Sequence, residues 1–366
     1  MKPLRILHSE AATSFGGQEQ YIVRMMTAMR ARGHYLEAVC QPHAQLVPRL
    51  RDLGFTVHTT LMDGPVNYVR GAAFVRSVLR SGHFDILNSH SRRDTILAGT
   101  GARLAGTPLI VRTRHLAKKV GSLLSYTVIP HRVTTASDFV RQHLIDRGVP
   151  PSKVATVRPA VDLPPPLEHS TLRQELKLAQ NDIVVVCVAV MRSEKGHREL
   201  IDAIKPLILE KPNVHLVCAG GGSPVFEQVK AYVAQQNLER RVHLLGARTD
   251  IPNVLAGSDI FALATRREAS GTVFVEAGAA GLPTVGTRVD GVPEMLQEGI
   301  TGLLVPLDDI PALTHALRTL IEDPDLRQRM GQAGMRFCRE NSPFSPEAMA
   351  ATIEGCYLRW LSELRP

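Results

Sequence analysis

The feature that most restricts the fold is an alternation of short apolar segments with helical patterns, which runs through the chain twice. In the first half, apolar segments at residues 5–8, 36–40 and 109–112 predict strands, and the stretches between them have helical periodicity. The second half begins the pattern again with the strongly apolar residues 183–189. Repeated strand–helix units predict a parallel sheet with helices on both faces. The sequence therefore predicts two doubly wound, Rossmann-like α/β domains.

A proline-rich stretch at residues 159–166 separates the two halves and reads as a linker, together with a short apolar strand at residues 154–157. We place the first domain at residues 1–163 and the second at residues 164–345. The remaining residues, 346–366, have a helical pattern and hold the only tryptophan. A chain of 366 residues is long enough for two domains that each bury a core.

The charge of the chain is uneven. Residues 1–160 contain 22 Lys and Arg against 9 Asp and Glu, a net +13, whereas the rest sums to −5 within the total of +8. Such a basic first domain predicts an anionic partner: a phosphorylated acceptor, an anionic membrane surface or nucleic acid. Nucleic acid is the least favoured, because no zinc-finger spacing, RNA-binding aromatic motif or basic run is present. The densest basic cluster contains Arg92, Arg93, Arg112, Arg114, Lys118 and Lys119.

That basic cluster has two readings, a binding surface or an ordinary solvated rim. The neighbouring residues 120–126 are apolar enough to touch a membrane interface. No apolar run approaches the ~20 residues of a membrane-spanning helix, and the start of the chain is too short in apolar residues for a signal peptide. We therefore expect a cytoplasmic protein, with peripheral attachment to the inner face of a membrane as an additional option.

The stretch at residues 265–283 combines a strand end, a polar turn and a helix start. Glu268 lies on the turn and Glu276 lies within the helix, eight positions later. A helix N-terminus offers unpaired N–H groups and the positive end of a dipole, and Gly271 lets a ligand approach the backbone. An anion site beside carboxylates suits a ligand with phosphates and hydroxyls, such as a sugar nucleotide. The alternative is a capped helix with two solvated glutamates.

This E-x7-E pattern, followed by AGAAGLPTVGTRVDGVPEMLQEGITGLLVPLDD, resembles the donor-site signature of glycosyltransferase family 4. The resemblance implies the GT-B fold, with two Rossmann-like domains facing a cleft and a C-terminal helix that crosses back to the first domain. It also implies a retaining transferase that uses a nucleotide-diphosphate sugar and no cofactor. The family often has Gly-Phe-Gly after the first glutamate, whereas this chain has Ala269-Ser270-Gly271. That departure leaves the identity of the transferred sugar open.

The resemblance also implies roles for donor-side residues. Glu268 would hold hydroxyls of the transferred sugar, and Glu276 would hold the ribose. Lys195 and Arg192 would neutralise the diphosphate, although the family arginine lies about five residues before the lysine and Arg192 lies only three before it. The remaining donor-side candidates are the turn and helix-start residues Ser270, Gly271, Thr272 and Val273, the first-domain loop residues Gly16 and Gly17, and Arg248, which follows a second-domain strand.

On the first domain, His90 and His115 stand at strand ends, where ligands of open α/β sheets bind. His115 matches the family histidine that contacts the donor sugar. The acceptor-side candidates are His90, Arg92, Arg93 and Arg114. No Asp-x-Asp occurs in a metal-like setting, and the five cysteines do not have the spacing of a metal site. We therefore expect no metal, with basic residues balancing the leaving group.

The resemblance implies a hexosyl- or heptosyltransferase, and the basic first domain suggests a cell-envelope glycan as the acceptor, such as a lipopolysaccharide core or a lipid-linked saccharide. A sugar-nucleotide epimerase or a phosphorylase on the same scaffold is the enzymatic alternative. A two-lobed sugar-binding protein would also have two α/β halves, but it would require an export signal. A lectin-like or regulatory protein without activity is the remaining alternative.

Overall fold

The computed structural model describes residues 3–118, 120–340 and 342–364. The chain divides into two compact units. The first unit is formed by the described residues within 1–160 and 343–366, and the second by those within 161–342. Lys119, a member of the basic cluster, lies outside the described residues.

The first unit contains a seven-stranded parallel sheet. Its strands are β1 (Arg5–Glu10), β2 (Tyr35–Cys40), β3 (Thr56–Thr59), β4 (Ile86–Ser89), β5 (Leu109–Arg114), β6 (Arg132–Thr135) and β7 (Val154–Thr156). They lie in the order β3-β2-β1-β4-β5-β6-β7. The helices between them are α1 (Gly17–Ala31), α2 (Leu46–Asp52), α3 (Pro65–Ser81), α4 (Arg92–Ala105), α5 (Leu124–Thr127) and α6 (Asp138–Asp146). Because the order reverses between β1 and β4, the carboxyl ends of these two strands flank a natural binding position.

The second unit contains a six-stranded parallel sheet. Its strands are β8 (Ile183–Val188), β9 (Val214–Ala219), β10 (Val242–Gly246), β11 (Ile260–Leu263), β12 (Thr284–Thr287) and β13 (Gly302–Val305), in the order β10-β9-β8-β11-β12-β13. Its helices are α7 (Leu172–Glu175), α8 (His197–Glu210), α9 (Val225–Gln235), α10 (Ile251–Ala256), α11 (Thr272–Ala279), α12 (Ile310–Glu322) and α13 (Pro324–Arg339). The central strands β8 and β11 are apolar and buried, as expected for a sheet covered on both faces.

The C-terminal helix α14 (Pro346–Leu364) belongs to the first unit. It buries Tyr357 and Trp360 in the same core as Ile6 of β1 and Met25 of α1. The Oη of Tyr357 accepts a hydrogen bond from Asn88 at 2.7 Å. This placement confirms that the chain returns to the first unit at its end. Burial of large aromatic side chains of this kind is worth several kcal/mol.

The structure corrects three details of the sequence prediction. The segment assigned to the linker contains β7, which pairs with β6 as the last strand of the first sheet. The helix α13 was not anticipated, although Asp323 caps it by accepting a hydrogen bond from the backbone N–H of Leu326 at 2.8 Å. The sequence pattern at residues 293–297 predicts a helix, but the structure has only a 3₁₀ turn there, at Val292–Glu294. None of the described helices has the length and hydropathy needed to cross a bilayer.

Candidate functional site

In the second unit, the loops that follow β8, β11 and β12 meet at the carboxyl edge of the sheet, because these strands are direct neighbours. The loop after β8 carries Lys195 and the loop after β11 carries Glu268. Their side chains form an ion pair, with 2.5 Å between Lys195 Nζ and Glu268 Oε2. Both side chains are mostly buried, being 19% and 17% exposed. The structure therefore brings together two of the residues that the sequence singled out.

Backbone and hydroxyl contacts fix the two loops against each other. The carbonyl of Glu194 accepts hydrogen bonds from Thr265 Oγ1 at 3.0 Å and from the N–H of Arg266 at 2.7 Å. The N–H of Glu268 donates to Asp290 Oδ2 at 3.0 Å, which ties in the loop after β12. Sequence reasoning missed Thr265 and Asp290, because contacts across three loops leave no local pattern.

Two glycines make this close approach of loops feasible. Gly196 has a φ of +66°, and a Cβ there would lie 1.8 Å from the carbonyl oxygen of Ala264. Gly271 has a φ of +65° and precedes the first residue of α11. Both backbones need glycine, since a left-handed conformation is unfavourable for other residues. The candidates Ser270, Thr272 and Val273 surround Gly271 and are half-buried. The N-terminus of α11 thus lies on the same loop as Glu268, which favours an anion there.

The structure does not join Arg192 to the Lys195–Glu268 pair. The Arg192 side chain is exposed and forms no ion pair with any described residue. Arg248 is engaged elsewhere: it donates to both carboxylate oxygens of Asp250 at 2.7 and 2.6 Å and to Glu175 at 3.0 Å. These carboxylates raise the pKa of Arg248, mainly through the hydrogen bonds to Asp250. Its guanidinium is therefore already balanced.

Glu276 lines a different part of the second unit. It borders a cavity of about 150 Å³ formed by the proline-rich segment, α10, α11 and Arg339. Neither Lys195 nor Glu268 lines this cavity. The two glutamates of the E-x7-E pattern thus face different surroundings.

A glycine-rich loop after β9 was also missed. Gly220, Gly221 and Gly222 follow the strand that neighbours β8, and Cβ atoms at Gly220 and Gly222 would lie 1.8 and 2.7 Å from the carbonyls of Ala189 and Met191. The signal that could have revealed this loop is three consecutive glycines directly after a buried strand. The loop lets backbone pack on backbone beside the Lys195 loop.

In the first unit, three histidines from neighbouring strands form a stack. His8 Nδ1 and His90 Nε2 are 3.0 Å apart, and His90 Nδ1 and His115 Nε2 are also 3.0 Å apart. Their rings are stacked with centroids 5.3 Å apart, and Tyr21 packs edge-on against His115. Each ring–ring hydrogen bond needs one N–H and one bare nitrogen, so His90, whose two nitrogens both take part, must be neutral.

Burial favours the neutral form of all three histidine rings. It lowers the pKa of His8 and of His115 to about 3, and that of His90 well below its ordinary value, with the neighbouring rings adding to the effect. The buried Nε2 of His8 has no partner among the described residues. Since orphaned N–H groups are the rarer kind, we assign this nitrogen as bare. The ring bonds then leave Nδ1–H of His115 as a donor. His8 was missed by sequence reasoning.

His90 and His115 also line a cavity of about 380 Å³ in the first unit. The guanidinium of Arg112 lies 3.8 Å from the ring centroid of Tyr126, and that of Arg114 lies 5.5 Å from it. Arg112 donates to the carbonyl of Ser125 at 3.1 Å, and Arg114 donates to the hydroxyl of Tyr126. The other lining residues are Gln18, Ser91, Arg92, Leu116, Lys118, Gly121 and Ser122. Four members of the predicted basic cluster therefore surround one cavity.

Arg93 does not line this cavity; it pairs with Asp63 at an exposed position. Gly16, which precedes α1, and Gly17, the first residue of α1, are both exposed. The backbone N–H of Gly16 donates to Glu19 Oε2 at 2.7 Å. A Cβ at Gly17 would meet nothing within 4 Å, so the fold itself does not require glycine there. An exposed backbone without side chains remains available for a ligand.

The apolar residues 120–126 mostly pack into the first unit. Val120 and Tyr126 are buried in a cluster with Val133 and Leu144, and Leu124 is the one large apolar side chain of the segment that is strongly exposed, at 64%. The surface that could contact a membrane is therefore smaller than the sequence indicates.

Comparison with known proteins identifies the family to which the chain belongs. The model for "Glycosyltransferase Family 4" matches residues 15–164, and that for "Glycosyl transferases group 1" matches residues 168–337. The Escherichia coli UDP-Gal:alpha-D-GlcNAc-diphosphoundecaprenol alpha-1,3-galactosyltransferase is 25% identical over 87% of this chain and 88% of its own length. The D-inositol 3-phosphate glycosyltransferase of Corynebacterium efficiens is 31% identical over 57% of this chain, which spans about half of that relative.

Solved structures with the same fold are more distant in sequence. A glycosyltransferase from Rickettsia africae superposes with a TM-score of 0.90 at 20% identity, covering 99% of both chains. The Anabaena protein HepE in complex with UDP superposes with a TM-score of 0.85 at 20% identity, covering 97% of this chain and 100% of its own. These similarities confirm the GT-B fold.

Proposed function

Because the chain belongs to the family 4 glycosyltransferases and uses a nucleotide sugar, we propose that it is a retaining transferase that acts on a cell-envelope glycan. The observation that carries this proposal is the Lys195–Glu268 pair next to the N-terminus of α11. A nucleotide-diphosphate sugar needs positive charge at its phosphates and acceptors for its hydroxyls. Lys195 and the helix N-terminus supply the first, and Glu268 supplies the second.

In the proposed reaction, the bond between the anomeric carbon and the diphosphate oxygen breaks while an acceptor oxygen bonds to that carbon from the same face. The proton of the acceptor hydroxyl passes to the departing phosphate, which serves as the base. Lys195 stabilises the charge that develops on the diphosphate, while Arg192 stays a candidate for the same task. Glu276 would hold the ribose, and His115 would donate Nδ1–H to the transferred sugar.

The named relatives support an acceptor from the cell envelope. Their names specify GlcNAc-diphosphoundecaprenol in Escherichia coli, phosphatidylinositol monomannoside in Mycolicibacterium smegmatis and D-inositol 3-phosphate in Corynebacterium efficiens. All three acceptors carry a phosphate. A lipid-linked saccharide or a lipopolysaccharide core fits the basic first unit of this chain, and we place the reaction in the cytoplasm, at or near a membrane surface.

The decisive measurement is release of nucleoside diphosphate from a panel of nucleotide sugars, with and without a mixture of envelope glycan acceptors. We expect acceptor-dependent release and a product with the anomeric configuration of the donor. Thermal-shift screening selects the donor first, because a ligand at ~100 times its dissociation constant stabilises by about 2.7 kcal/mol. Isomerisation of the donor without an acceptor would instead indicate an epimerase, and binding without turnover would indicate a sugar-binding protein.

Metal independence is part of the proposal, since Lys195 and the start of α11 balance the leaving diphosphate. We expect activity in excess EDTA to stay within about twofold of the untreated enzyme. A loss of activity that Mg²⁺ or Mn²⁺ restores would contradict the role given to Lys195.

A further inference from the structure

The first-unit cavity has an unusual charge balance. Its lining contains the cations Arg92, Arg112, Arg114 and Lys118, and no Asp or Glu is among the described lining residues. Arg92 and Lys118 are exposed and can be balanced by water and salt. Arg112 and Arg114 are different, because they are only 5% and 8% exposed. A buried charge normally has an oppositely charged partner, since its transfer from water is otherwise costly.

No described carboxylate pairs with either buried arginine. Asp94, the nearby acid that favours the charged form of Arg112, instead accepts hydrogen bonds from the N–H groups of His90 and Ser91 at 2.9 and 2.8 Å and from Ser9 Oγ at 2.9 Å. The Nε atoms of Arg112 and Arg114 are buried without a partner among the described residues. Burial lowers the pKa of Arg112, yet a guanidinium stays charged at neutral pH.

The surroundings hold these guanidiniums in place without neutralising them. Tyr126 offers its ring face to both, and its hydroxyl accepts a hydrogen bond from Arg114. The carbonyls of Ser125 and Lys118 accept further bonds from Arg112 and Arg114, respectively. Neutral acceptors of this kind orient an arginine but leave its charge available. The fold therefore maintains two fixed positive charges beside a cavity that can admit an anion.

We propose that this cavity binds a phosphate group of the acceptor substrate. This proposal depends on the proposed function in one respect only: the molecule that carries the phosphate is taken to be the acceptor. A phosphate monoester carries a charge of about −1.5 to −2 and three oxygens that accept hydrogen bonds, so it matches several cations better than a single carboxylate does. Arginine binds such oxygens through two parallel N–H groups. A cavity of about 380 Å³ leaves room for part of the attached sugar or lipid headgroup.

Isothermal titration calorimetry of the full chain tests the site with inorganic phosphate and glycerol 3-phosphate, and with acetate as the carboxylate probe, all at one ionic strength. Arg114→Gln and Arg112→Gln should weaken phosphate binding roughly ten- to hundredfold. Lys118→Gln, at an exposed position, should weaken it about threefold. Arg70→Gln is the matched control: it removes one exposed cation from α3, outside the cavity, and should leave the affinity unchanged.

A second control separates this site from the diphosphate site of the second unit, because free phosphate could enter either. Lys195→Met should leave the binding of glycerol 3-phosphate unchanged. Loss of binding in Lys195→Met but not in Arg114→Gln or Lys118→Gln would overturn the proposal, as would tighter binding of acetate than of phosphate. Circular dichroism and Trp360 fluorescence check that the variants of the buried arginines fold. If they do not fold, the binding affinity of Lys118→Gln tests the proposal.

The outcomes also distinguish this proposal from the proposed function. Phosphate binding with the expected variant pattern, but without acceptor-dependent release of nucleoside diphosphate, would support the anion site and contradict the transferase mechanism. Transfer to acceptors with a KM that Arg114→Gln and Lys118→Gln leave unchanged would support the transferase and overturn the phosphate site.

Discussion

The two units differ in whether the cations near their strand ends have acidic partners. In the second unit three cations near the strand ends have acidic partners: Lys195 pairs with Glu268, Arg248 with Glu175 and Asp250, and Arg266 with Glu199 and Asp308. The exposed Arg192 has none among the described residues. In the first unit Arg112 and Arg114 have none among the described residues. A ligand of the second unit must therefore displace an internal ion pair, whereas a ligand of the first unit meets charge that is already free.

This difference explains how each unit can select its ligand. Breaking the Lys195–Glu268 ion pair costs free energy, so a ligand must replace the interactions of both side chains. A molecule with phosphates and hydroxyls does this. The first unit has no such requirement, so an anion alone suffices.

The largest effect is expected when the two glutamates of the second unit, Glu268 and Glu276, are substituted one at a time. Glu268→Gln should lower kcat by roughly 10²-fold or more, the scale of losing one electrostatic stabiliser of a transition state. Glu276→Gln, at the edge of the cavity of about 150 Å³, should mainly raise the donor KM, because a ribose contact does not change during reaction. Steady-state kinetics on both variants measures this difference.

The control for the glutamate pair is binding of the free nucleoside diphosphate. Its affinity should fall in Glu276→Gln and should not fall in Glu268→Gln, because Lys195 then no longer has to leave an ion pair. If Glu268→Gln instead weakened the bare nucleotide and left turnover intact, the two roles would be reversed.

A similar contrast applies to two glycines. Gly196→Ala should destabilise the second unit by about 3 kcal/mol, because the new Cβ collides with the carbonyl of Ala264 and φ is positive. Gly17→Ala meets no atom and should change stability by less than about 0.5 kcal/mol. Thermal unfolding followed by circular dichroism measures both, with Trp360 fluorescence reporting on the first unit. Equal losses in the two variants would refute the close approach of loops in the second unit.

The histidine stack predicts a pH dependence of the first unit. The folded pKa of His8 is about 3 and its ordinary value is 6.5, so below pH 6.5 the unfolded chain binds a proton that the folded chain does not. Stability should therefore fall as the pH decreases from 6.5 towards 3, by about 1.4 kcal/mol per pH unit for each such histidine. Glu10 acts with the opposite sign, since burial raises its pKa to about 8.

The variant His8→Phe isolates this contribution. In urea unfolding followed by Trp360 fluorescence between pH 5 and 6.5, its mean slope of stability against pH should be smaller than that of the wild type by about 1 kcal/mol per unit. His43→Gln, which changes an exposed histidine, should keep the wild-type slope. Identical slopes for wild type and His8→Phe would show that the stack is not neutral.

The smallest effect concerns membranes. The basic first unit should bind anionic vesicles in a salt-sensitive manner, at about 1 kcal/mol per engaged basic residue. Leu124→Ser should weaken this binding slightly, because Leu124 is the strongly exposed apolar residue of its segment, and Leu209→Ser in the second unit should not. Co-sedimentation with anionic and neutral vesicles measures both. Equal binding to the two vesicle types would restrict the basic cluster to ligand recognition.

Much of the second-unit site could be predicted from the sequence, because its elements are local. A strand, a turn with Gly271 and the start of α11 follow one another within a few residues, so Glu268 is positioned by its own segment. Lys195 follows its strand in the same way. The partnership of these two side chains was not predictable, since it depends on β8 and β11 being neighbours and on Glu194, Thr265 and Asp290 joining the loops.

The sequence by itself determined the two α/β units, the position of almost every strand and the helix that ends the chain, because apolar periodicity directly records which faces are buried. Only the tertiary structure decided which cations are neutralised. Arg112 and Arg248 look alike in the sequence, yet one stacks on Tyr126 without a carboxylate and the other binds two of them. The same holds for His8, which gains its role from rings 82 and 107 residues away in the chain. Coulomb and hydrogen-bond energies depend on distances between strands that folding alone brings together.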